Sequence, residues 1–326
     1  MIRVGIVGYG NLGKGVELAI QNAPDIQLLA LFTRRKPSQV ETIYNTPVFH
    51  LDDIEDWKEK IDVLILCGGS ASDLPEMTPN LAQNFNVVDS FDNHSQIPEH
   101  FNRVDAMAQK GNRIALISGG WDPGLFSLNR LFGEAILPQG KSYTFWGKGV
   151  SQGHSDAIRR VPGVRLAKQY TIPNEEALET VRQGQNPTLS TSDKHLRDCY
   201  VVLEQNADPH EVEIAIKSMP NYFADYKTTV HFIDEAEFNN KHTSMAHGGY
   251  VFRTAHTGFS QEHQQVIEYH IKLDSNPEFT GSVLVAYARA IYKMHRQGSI
   301  GCKTVLDVPP GLLSEKSPET LRASLL

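Results

Sequence analysis

Ile2-Arg3-Val4-Gly5-Ile6-Val7-Gly8-Tyr9-Gly10-Asn11-Leu12-Gly13 stands at the amino terminus and decides the fold. Ile2 to Val7 reads as a short apolar strand, and it runs into G-x-G-x-x-G with helix-compatible residues from Leu12. Each glycine has its own task. Gly8 permits a tight turn, Gly10 lets backbone approach a pyrophosphate, and Gly13 lets the following helix lie close to the strand. The helix start then offers unpaired N–H groups and a positive dipole end to phosphate. A plain glycine-rich turn is the competing reading, but strand before and helix after favour a dinucleotide site.

Outward from this stretch, strand and helix signals alternate through the first 120 residues. Leu12–Gln21 reads as a helix, and Ile26–Phe32 as a strand covered on both faces. Asp52–Lys60 reads as a short charged helix, Ile61–Cys67 as a buried strand, and a helix starts near Asp73. Strand Val87–Ser90, helix Ile97–Lys110 and strand Arg113–Ser118 complete the series. The alternation implies an α/β domain with a doubly wound, Rossmann-type parallel sheet, whose ligands sit at the carboxyl ends of the strands.

After about residue 120 the pattern changes. Leu125–Ile136 reads as a helix, and longer alternating strands follow at Ser142–Trp146, Arg165–Ile172, Leu196–Glu204, Lys227–Ile233, Tyr250–His256 and Gln265–Leu273. Glu175–Arg182 and Pro209–Lys217 read as intervening helices, giving a second, α+β domain with a mixed or antiparallel sheet. A helix carrying Val283, Tyr287, Ile291 and Met294 ends at Gly298, and it and the strand expected at Lys303–Val308 are read as returning to the first domain. The expected division is 1–120 with 298–326 for the dinucleotide-binding domain, and 121–297 for substrate binding and dimerisation.

Composition narrows the class. The chain has 326 residues, a formal net charge of −7 and a pI near 6.0, which gives no electrostatic footprint for nucleic acid. No apolar run reaches membrane-spanning length and no signal-peptide pattern opens the chain, so a membrane partner is not expected and a cytoplasmic protein is. Cys67, Cys199 and Cys302 are widely spaced, as free thiols in a reducing compartment would be. The histidines match no zinc spacing, so no metal is expected; neither G-x-S-x-G nor a Walker A sequence is present.

Four further stretches carry chemistry. The second strand ends Thr33-Arg34-Arg35 without a carboxylate to take a ribose 2′-OH, and two arginine forks suit a 2′-phosphate; NADP is therefore expected, with a solvated basic turn as the alternative. Cys67-Gly68-Gly69-Ser70 suits close approach of backbone to a cofactor, or a plain helix-capping turn. Ser90-Phe91-Asp92 and Gly119-Gly120-Trp121-Asp122-Pro123 each place an aspartate at a strand end, a pairing that points to acid–base chemistry although Asp before Pro is often a turn former. Gln152-Gly153 offers backbone N–H groups to a carboxylate, or a helix cap. Arg197, on a strand with Cys199 and Val201, points to a cleft or ends on a solvated rim.

Together these motifs resemble the meso-diaminopimelate D-dehydrogenases. The resemblance rests on G-Y-G-N-L-G at 8–13, T-R-R at 33–35, D-N-H at 92–94, G-W-D-P-G at 120–124, F-W-G at 145–147, S-Q-G-H-S-D-A at 151–157, R-R-V-P-G-V at 159–164 and H-G-G at 247–249. It covers essentially the whole chain. It implies NADP-dependent, reversible oxidative deamination at the D-centre of meso-2,6-diaminopimelate in lysine biosynthesis, by a homodimer. By position it assigns cofactor contacts to Tyr9, Asn11 and Leu12 within the glycine loop, to Thr33, Arg34 and Arg35, to Cys67, Gly68, Gly69 and Ser70, to Ser90, Phe91 and Asp92, and to Gly119, Gly120, Trp121, Asp122 and Pro123. It assigns substrate contacts to Asp92, Asp122, Trp146, Gln152, Gly153, Thr171, Arg197, His247 and Asn276, with Asp92 and Asp122 as candidate catalytic groups. Two other readings stand beside it. One is another two-domain NADP oxidoreductase, of the dihydrodipicolinate reductase or homoserine dehydrogenase kind; the other is a non-catalytic NADP-binding regulator.

Overall fold

The computed structural model describes all residues, 1–326. In chain order its elements are β1 (Ile2–Val7), α1 (Asn11–Ile20), β2 (Ile26–Thr33), β3 (Val48–His50), β4 (Val63–Leu66), α2 (Leu74–Ala82), β5 (Val87–Asp89), α3 (Ile97–Lys110), β6 (Ile114–Leu116) and α4 (Leu125–Ile136). Then come β7 (Lys141–Trp146), β8 (Gly149–Val150), α5 (Gln152–Arg159), β9 (Val164–Pro173), α6 (Glu175–Arg182), α7 (Thr191–Lys194), β10 (His195–Leu203), α8 (Pro209–Lys217), β11 (Thr228–Phe232) and α9 (Glu235–Lys241). β12 (His247–Thr257), β13 (His263–Leu273), α10 (Asn276–Arg296), β14 (Gly301–Lys303) and α11 (Pro318–Leu325) complete the chain. Contacts divide it into two units, Met1–Leu128 with Pro277–Leu326, and Asn129–Asn276. The first boundary thus falls inside α4 rather than at residue 120, and nearly all of α10 belongs to the first unit, in line with the reading of that helix as returning there and not with a boundary at 297.

The first unit is built on a seven-stranded sheet of order β14-β6-β5-β4-β1-β2-β3, every pairing parallel. Burial on both faces is written into the strands. Val4, Ile6, Val63 and Ile65 join a core with Val16 and Ile20 of α1 and Leu284, Tyr287 and Ile291 of α10. Val7, Phe32, Leu64 and Leu66 join the opposite core with Leu74 and Leu81 of α2 and Val104 and Ala108 of α3. Alternate side chains therefore feed opposite layers, and unbroken apolar runs result. The strand order reverses between β1 and β4, which is where a doubly wound sheet opens a crevice.

The second unit contains two sheets, not one. A four-stranded sheet, β11-β10-β9-β8, has one parallel pairing (β10 with β11) among antiparallel ones. A three-stranded antiparallel sheet, β13-β12-β7, stands apart from it. Cys199, Val201 and Ala167 pack under Val212 and Ile216 of α8, whereas Phe145 and Phe252 pack under Leu178 and Val181 of α6. Two segments differ in kind from the sequence reading. Residues 51–57 form a 3-10 helix, and Val305–Asp307 is a 3-10 turn rather than the end of a strand. The second has a local cause: the Thr304 hydroxyl accepts the Leu306 N–H while the Asp307 carboxylate accepts the Thr304 N–H, an N-cap exchange that competes with the ladder. No helix is long and apolar enough to cross a membrane.

Helix α1 is confined by backbone on both sides. A Cβ on Gly13 would lie 2.3 Å from the Gly8 carbonyl oxygen, and one on Gly15 would lie 2.4 Å from the Pro277 carbonyl oxygen. From the other side, a Cβ on Gly281 of α10 would meet the Gly15 carbonyl carbon at 2.5 Å. Gly281→Val should accordingly lower the unfolding free energy by about 2 kcal/mol or more, the upper range of overpacking. Gly311→Ala, where the nearest atom is 3.9 Å away, serves as the control. Equal denaturation midpoints for the two variants would contradict the backbone contact.

Candidate active site

The glycine loop sits at the reversal of strand order. Gly8 adopts φ +93° and donates its N–H to the Phe32 carbonyl, and Cys67 after β4 donates to the Val7 carbonyl, so the loops following β1, β2 and β4 converge. A Cβ on Gly8 would lie 3.2 Å from the Cys67 carbonyl, whereas one on Gly10 would meet nothing within 4 Å. No packing demand inside the chain thus explains glycine at position 10; open room for a ligand does. Gly10 caps α1 without a side-chain bond, and the first turn carries no acidic residue, so the positive end of the helix suits an anion.

Beside this loop, Thr33 ends β2 and its hydroxyl accepts the Arg35 N–H at 3.1 Å. The Arg35 guanidinium donates to the Tyr9 carbonyl at 2.8 Å. Arg34 pairs with Asp73 at 2.8 Å while its side chain stays 66% exposed. The sequence showed no carboxylate near this cluster, and the fold supplies one from the residue preceding α2. The other Asp73 oxygen accepts the Gly69 N–H at 2.8 Å, which couples Arg34 to the Gly68-Gly69-Ser70 turn. A cavity of about 290 Å³ opens here, lined by Arg34, Leu51, Ile54, Asp73, Met77 and Leu81 among others.

The Tyr9 side chain turns inward. Its hydroxyl donates to the buried Glu17 carboxylate, and burial first, then Glu17, pushes its pKa up to about 12. Phe91 and Trp121 are likewise buried, Phe91 stacked on His100 at 4.1 Å and Trp121 edge-on to Phe126 at 5.2 Å. Burial pushes the Cys67 thiol far up, so it offers a small neutral surface and no thiolate.

At the neighbouring strand ends, Asp92 follows β5 and Asp122 follows β6. The Asp92 N–H donates to the Ser70 hydroxyl at 2.8 Å, and the Gly119 N–H donates to the Asp89 carbonyl at 2.8 Å. The sequence-chosen stretches 67–70 and 90–92 are therefore tied to each other, and 119–123 is tied to Asp89 at the end of β5.

In the second unit, Arg197 of β10 and Thr171 of β9 are cross-strand partners, and the guanidinium donates to the threonine hydroxyl at 2.5 Å. The guanidinium lies 4.0 Å from the centre of the Tyr226 ring, and Arg197 is only 7% exposed. Its Nε has no hydrogen-bond partner. A buried guanidinium held by a hydroxyl and an aromatic face, with a donor to spare, has the chemistry to accept an anionic group. Desolvation pulls the Arg197 pKa down, as it does for a cation lacking a carboxylate nearby.

Trp146 ends β7 and stacks on His195 at 5.1 Å, its N–H donating to His195 Nε2 at 2.9 Å. His195 Nδ1 lies 3.0 Å from the Thr191 carbonyl, so the ring must be neutral with its proton on Nδ1. His247 begins β12 over Gly149, where a Cβ would come within 2.5 Å of the imidazole. The Asn276 N–H donates to the Met245 carbonyl at 3.0 Å. Gln152 and Gly153 are exposed in the first turn of α5, and a Cβ on Gly153 would meet nothing within 4 Å.

The chain matches the family model "Diaminopimelic acid dehydrogenase C-terminal domain" over residues 120–275. It is 60% identical over 326 residues to a meso-diaminopimelate D-dehydrogenase of Ureibacillus thermosphaericus, covering all of this chain and 99% of that one. This chain belongs to the meso-diaminopimelate D-dehydrogenase family. Among solved structures, the Corynebacterium glutamicum DAP dehydrogenase in complex with DAP is 46% identical with a TM-score of 0.92, covering 100% of this chain and 99% of that chain. An engineered D-amino acid dehydrogenase bound to NADP+ is 45% identical with a TM-score of 0.87, with the same coverage.

Within this member of the family, the sequence reading passed over Asp73, Asp89, His195, Tyr226 and Glu17. Only Glu17 left a local trace, as a charged residue on the apolar side of α1; the others act on partners far away in sequence. His195 gives a pH test. Burial, the largest cause, holds its pKa down from the ordinary 6.5 to about 4. Between those values the unfolded chain takes up a proton that the native ring refuses, so this contribution is intact above pH 6.5 and lost as pH falls toward 4. Wild type should therefore lose roughly 2 kcal/mol more stability than His195→Gln between pH 7 and 4.5. Glutamine can keep both hydrogen bonds without titrating. Parallel stability curves in urea titrations across that range would refute the neutral, buried ring.

Proposed function

We infer that the protein catalyses NADP-dependent oxidative deamination of meso-2,6-diaminopimelate at its D-centre: hydride passes to NADP+, giving NADPH, and water hydrolyses the resulting imine to L-2-amino-6-oxopimelate and ammonia. Full-length membership in the family carries this reading. The local geometry supports it: the open approach at Gly10, the uncapped start of α1 and the guanidinium groups of Arg34 and Arg35 suit a dinucleotide bearing a 2′-phosphate. When bound, NADP+ supplies the hydride acceptor.

The residues act as follows. Gly8, Gly10, Asn11, Leu12 and Gly13 hold the pyrophosphate through backbone, and Thr33, Arg34 and Arg35 hold the 2′-phosphate. A D-amino acid gives up its α-hydrogen as hydride only once its amine is neutral, so a carboxylate must accept the ammonium proton or hold a water that does. Asp92 and Asp122 take that part. Gln152 and the Gly153 N–H hold the carboxylate of the reacting end. Trp146, Thr171, Arg197, His247 and Asn276 hold the distal L-end, where the buried guanidinium of Arg197 rewards a second carboxylate that ordinary D-amino acids lack. The same reading places the protein in the cytoplasm as a homodimer, with the second unit serving substrate binding and dimerisation.

Two experiments probe it. The assay follows NADPH absorbance together with ammonia release from meso-diaminopimelate. Arg197→Met should lower kcat/KM by more than about 100-fold, near 3 kcal/mol of transition-state binding; full activity in that variant would remove the distal clamp. Arg34→Ala with Arg35→Ala should raise the KM for NADP+ by roughly 30-fold or more, two charge-assisted bonds being lost, with little change for NAD+. Equal effects on the two cofactors would sink the 2′-phosphate assignment.

A further inference from the structure

Asp89 ends β5 and has no part in the reaction as derived above. It is completely buried, 0% exposed, and its carboxylate is surrounded by donors. Oδ1 accepts the backbone N–H of Phe91 at 3.0 Å and that of Ser118 at 2.8 Å. Oδ2 accepts the Thr78 hydroxyl of α2 at 2.7 Å and lies 2.9 Å from Nε2 of His100 on α3. The Asp89 carbonyl also accepts the Gly119 N–H at 2.8 Å. One residue thus grips two loops that follow different strands.

Those loops carry Asp92 and Asp122. β6 ends at Leu116, and Ser118 beyond it adopts φ +58°, a left-handed conformation that a residue with a side chain seldom takes unaided. The Ser118 N–H is met there by the Asp89 carboxylate. On the other loop, the same oxygen holds Phe91, whose ring stacks at 4.1 Å on the His100 imidazole that meets the second oxygen. Thr78 and His100 therefore brace the carboxylate from two helices while it faces both loops.

We propose that Asp89 is a positioning residue for the reaction: its buried carboxylate sets the backbone of residues 90–92 and 118–122 and thereby aims Asp92 and Asp122. This rests on the reading of those two aspartates given under Proposed function. A misplacement of about 1 Å in a reacting group costs up to about 100-fold in rate, so loosening the clamp should appear in kcat. The glycine loop and Thr33-Arg34-Arg35 make no bond to Asp89, so the phosphate contacts of NADP+ should be kept. Residues 90–92 and 119–123 are themselves assigned to the cofactor, so its affinity should fall, but far less than kcat.

The test compares three variants by steady-state kinetics, by direct titration of NADPH fluorescence and by thermal unfolding of the NADP-bound protein. Asp89→Ala removes both acceptors and should lower kcat by roughly 50-fold or more, with a much smaller rise in KM and Kd for the cofactor. Asp89→Asn is the conservative rescue. Its Oδ1 can still accept from Phe91 and Ser118, while the Thr78 hydroxyl can turn to accept from its amide, as can His100 Nε2 with the ring proton moved to Nδ1, which has no partner. It should recover kcat to within about fivefold of wild type. If Asp89→Ala is not obtained folded, Asp89→Ser, able to satisfy only one of the two N–H groups, should lower kcat by roughly tenfold. The proposal is overturned if the folded Ala or Ser variant keeps kcat within threefold, if cofactor binding weakens as much as kcat falls, or if Asn is as impaired as Ala. Wild type that binds NADPH but releases no ammonia from meso-diaminopimelate would instead overturn the reading under Proposed function.

Discussion

Helix α1 lies trapped between two stretches of backbone, and the first unit is arranged around that confinement. Gly13 brings its start against the turn after β1, and Gly15 brings its middle against Pro277 and Gly281 of α10. At such distances no side chain fits, so the helix axis is fixed by main-chain contact rather than by the softer interlock of side chains. Two consequences follow. The N–H groups at the start of α1 are aimed from a rigid base into the crevice beside β4. The chain also has to return after residue 276, because the backbone that confines α1 at Gly15 comes from α10.

Among the buried charged groups, some are fully matched within the chain and one is left with a donor to spare. Asp89 and Glu17 are both fully buried and well supplied with donors. Glu17 accepts from the Tyr9 and Thr46 hydroxyls and from the N–H groups of Ile43 and Tyr44, which fastens the segment after β2 onto α1. Arg289, 7% exposed, is matched by a two-pronged contact with Asp25. Such groups cost little once paired and specify one arrangement of the chain. Arg197 differs. It has a hydroxyl and an aromatic face as neighbours, and its Nε is left over. A cation buried in that state is stabilised when an anion arrives.

Electrostatics in the second unit follow the same economy. His154 and His195 are each held down to about 4, mainly by burial, with the Arg197 charge adding to the effect. Near neutral pH neither ring competes with Arg197 as a cation, and the neutral His195 ring can accept the Trp146 N–H. The stacked indole is consequently fixed by both its ring and its backbone.

The sequence by itself determined every feature whose cause lies within a few residues. The apolar runs of β1, β2 and β4 encode burial on both faces, Gly8 to Gly13 encode the turn and helix start, and Thr33-Arg34-Arg35 present charge at a strand end whatever surrounds them. The alternation of Ile267, Tyr269, Ile271 and Leu273 likewise survives in β13, with Ile271 and Leu273 buried. Tertiary structure decided what depends on remote partners. It brought Asp73 to Arg34, Asp89 to Ser118 and Tyr226 to Arg197, split the second unit into two sheets, and set the depth at which α10 meets α1 through Gly15 and Gly281. The reason is physical: hydrophobic periodicity and turn chemistry are local properties of a chain, whereas hydrogen bonds and backbone contacts between distant segments exist only once packing has chosen which segments meet.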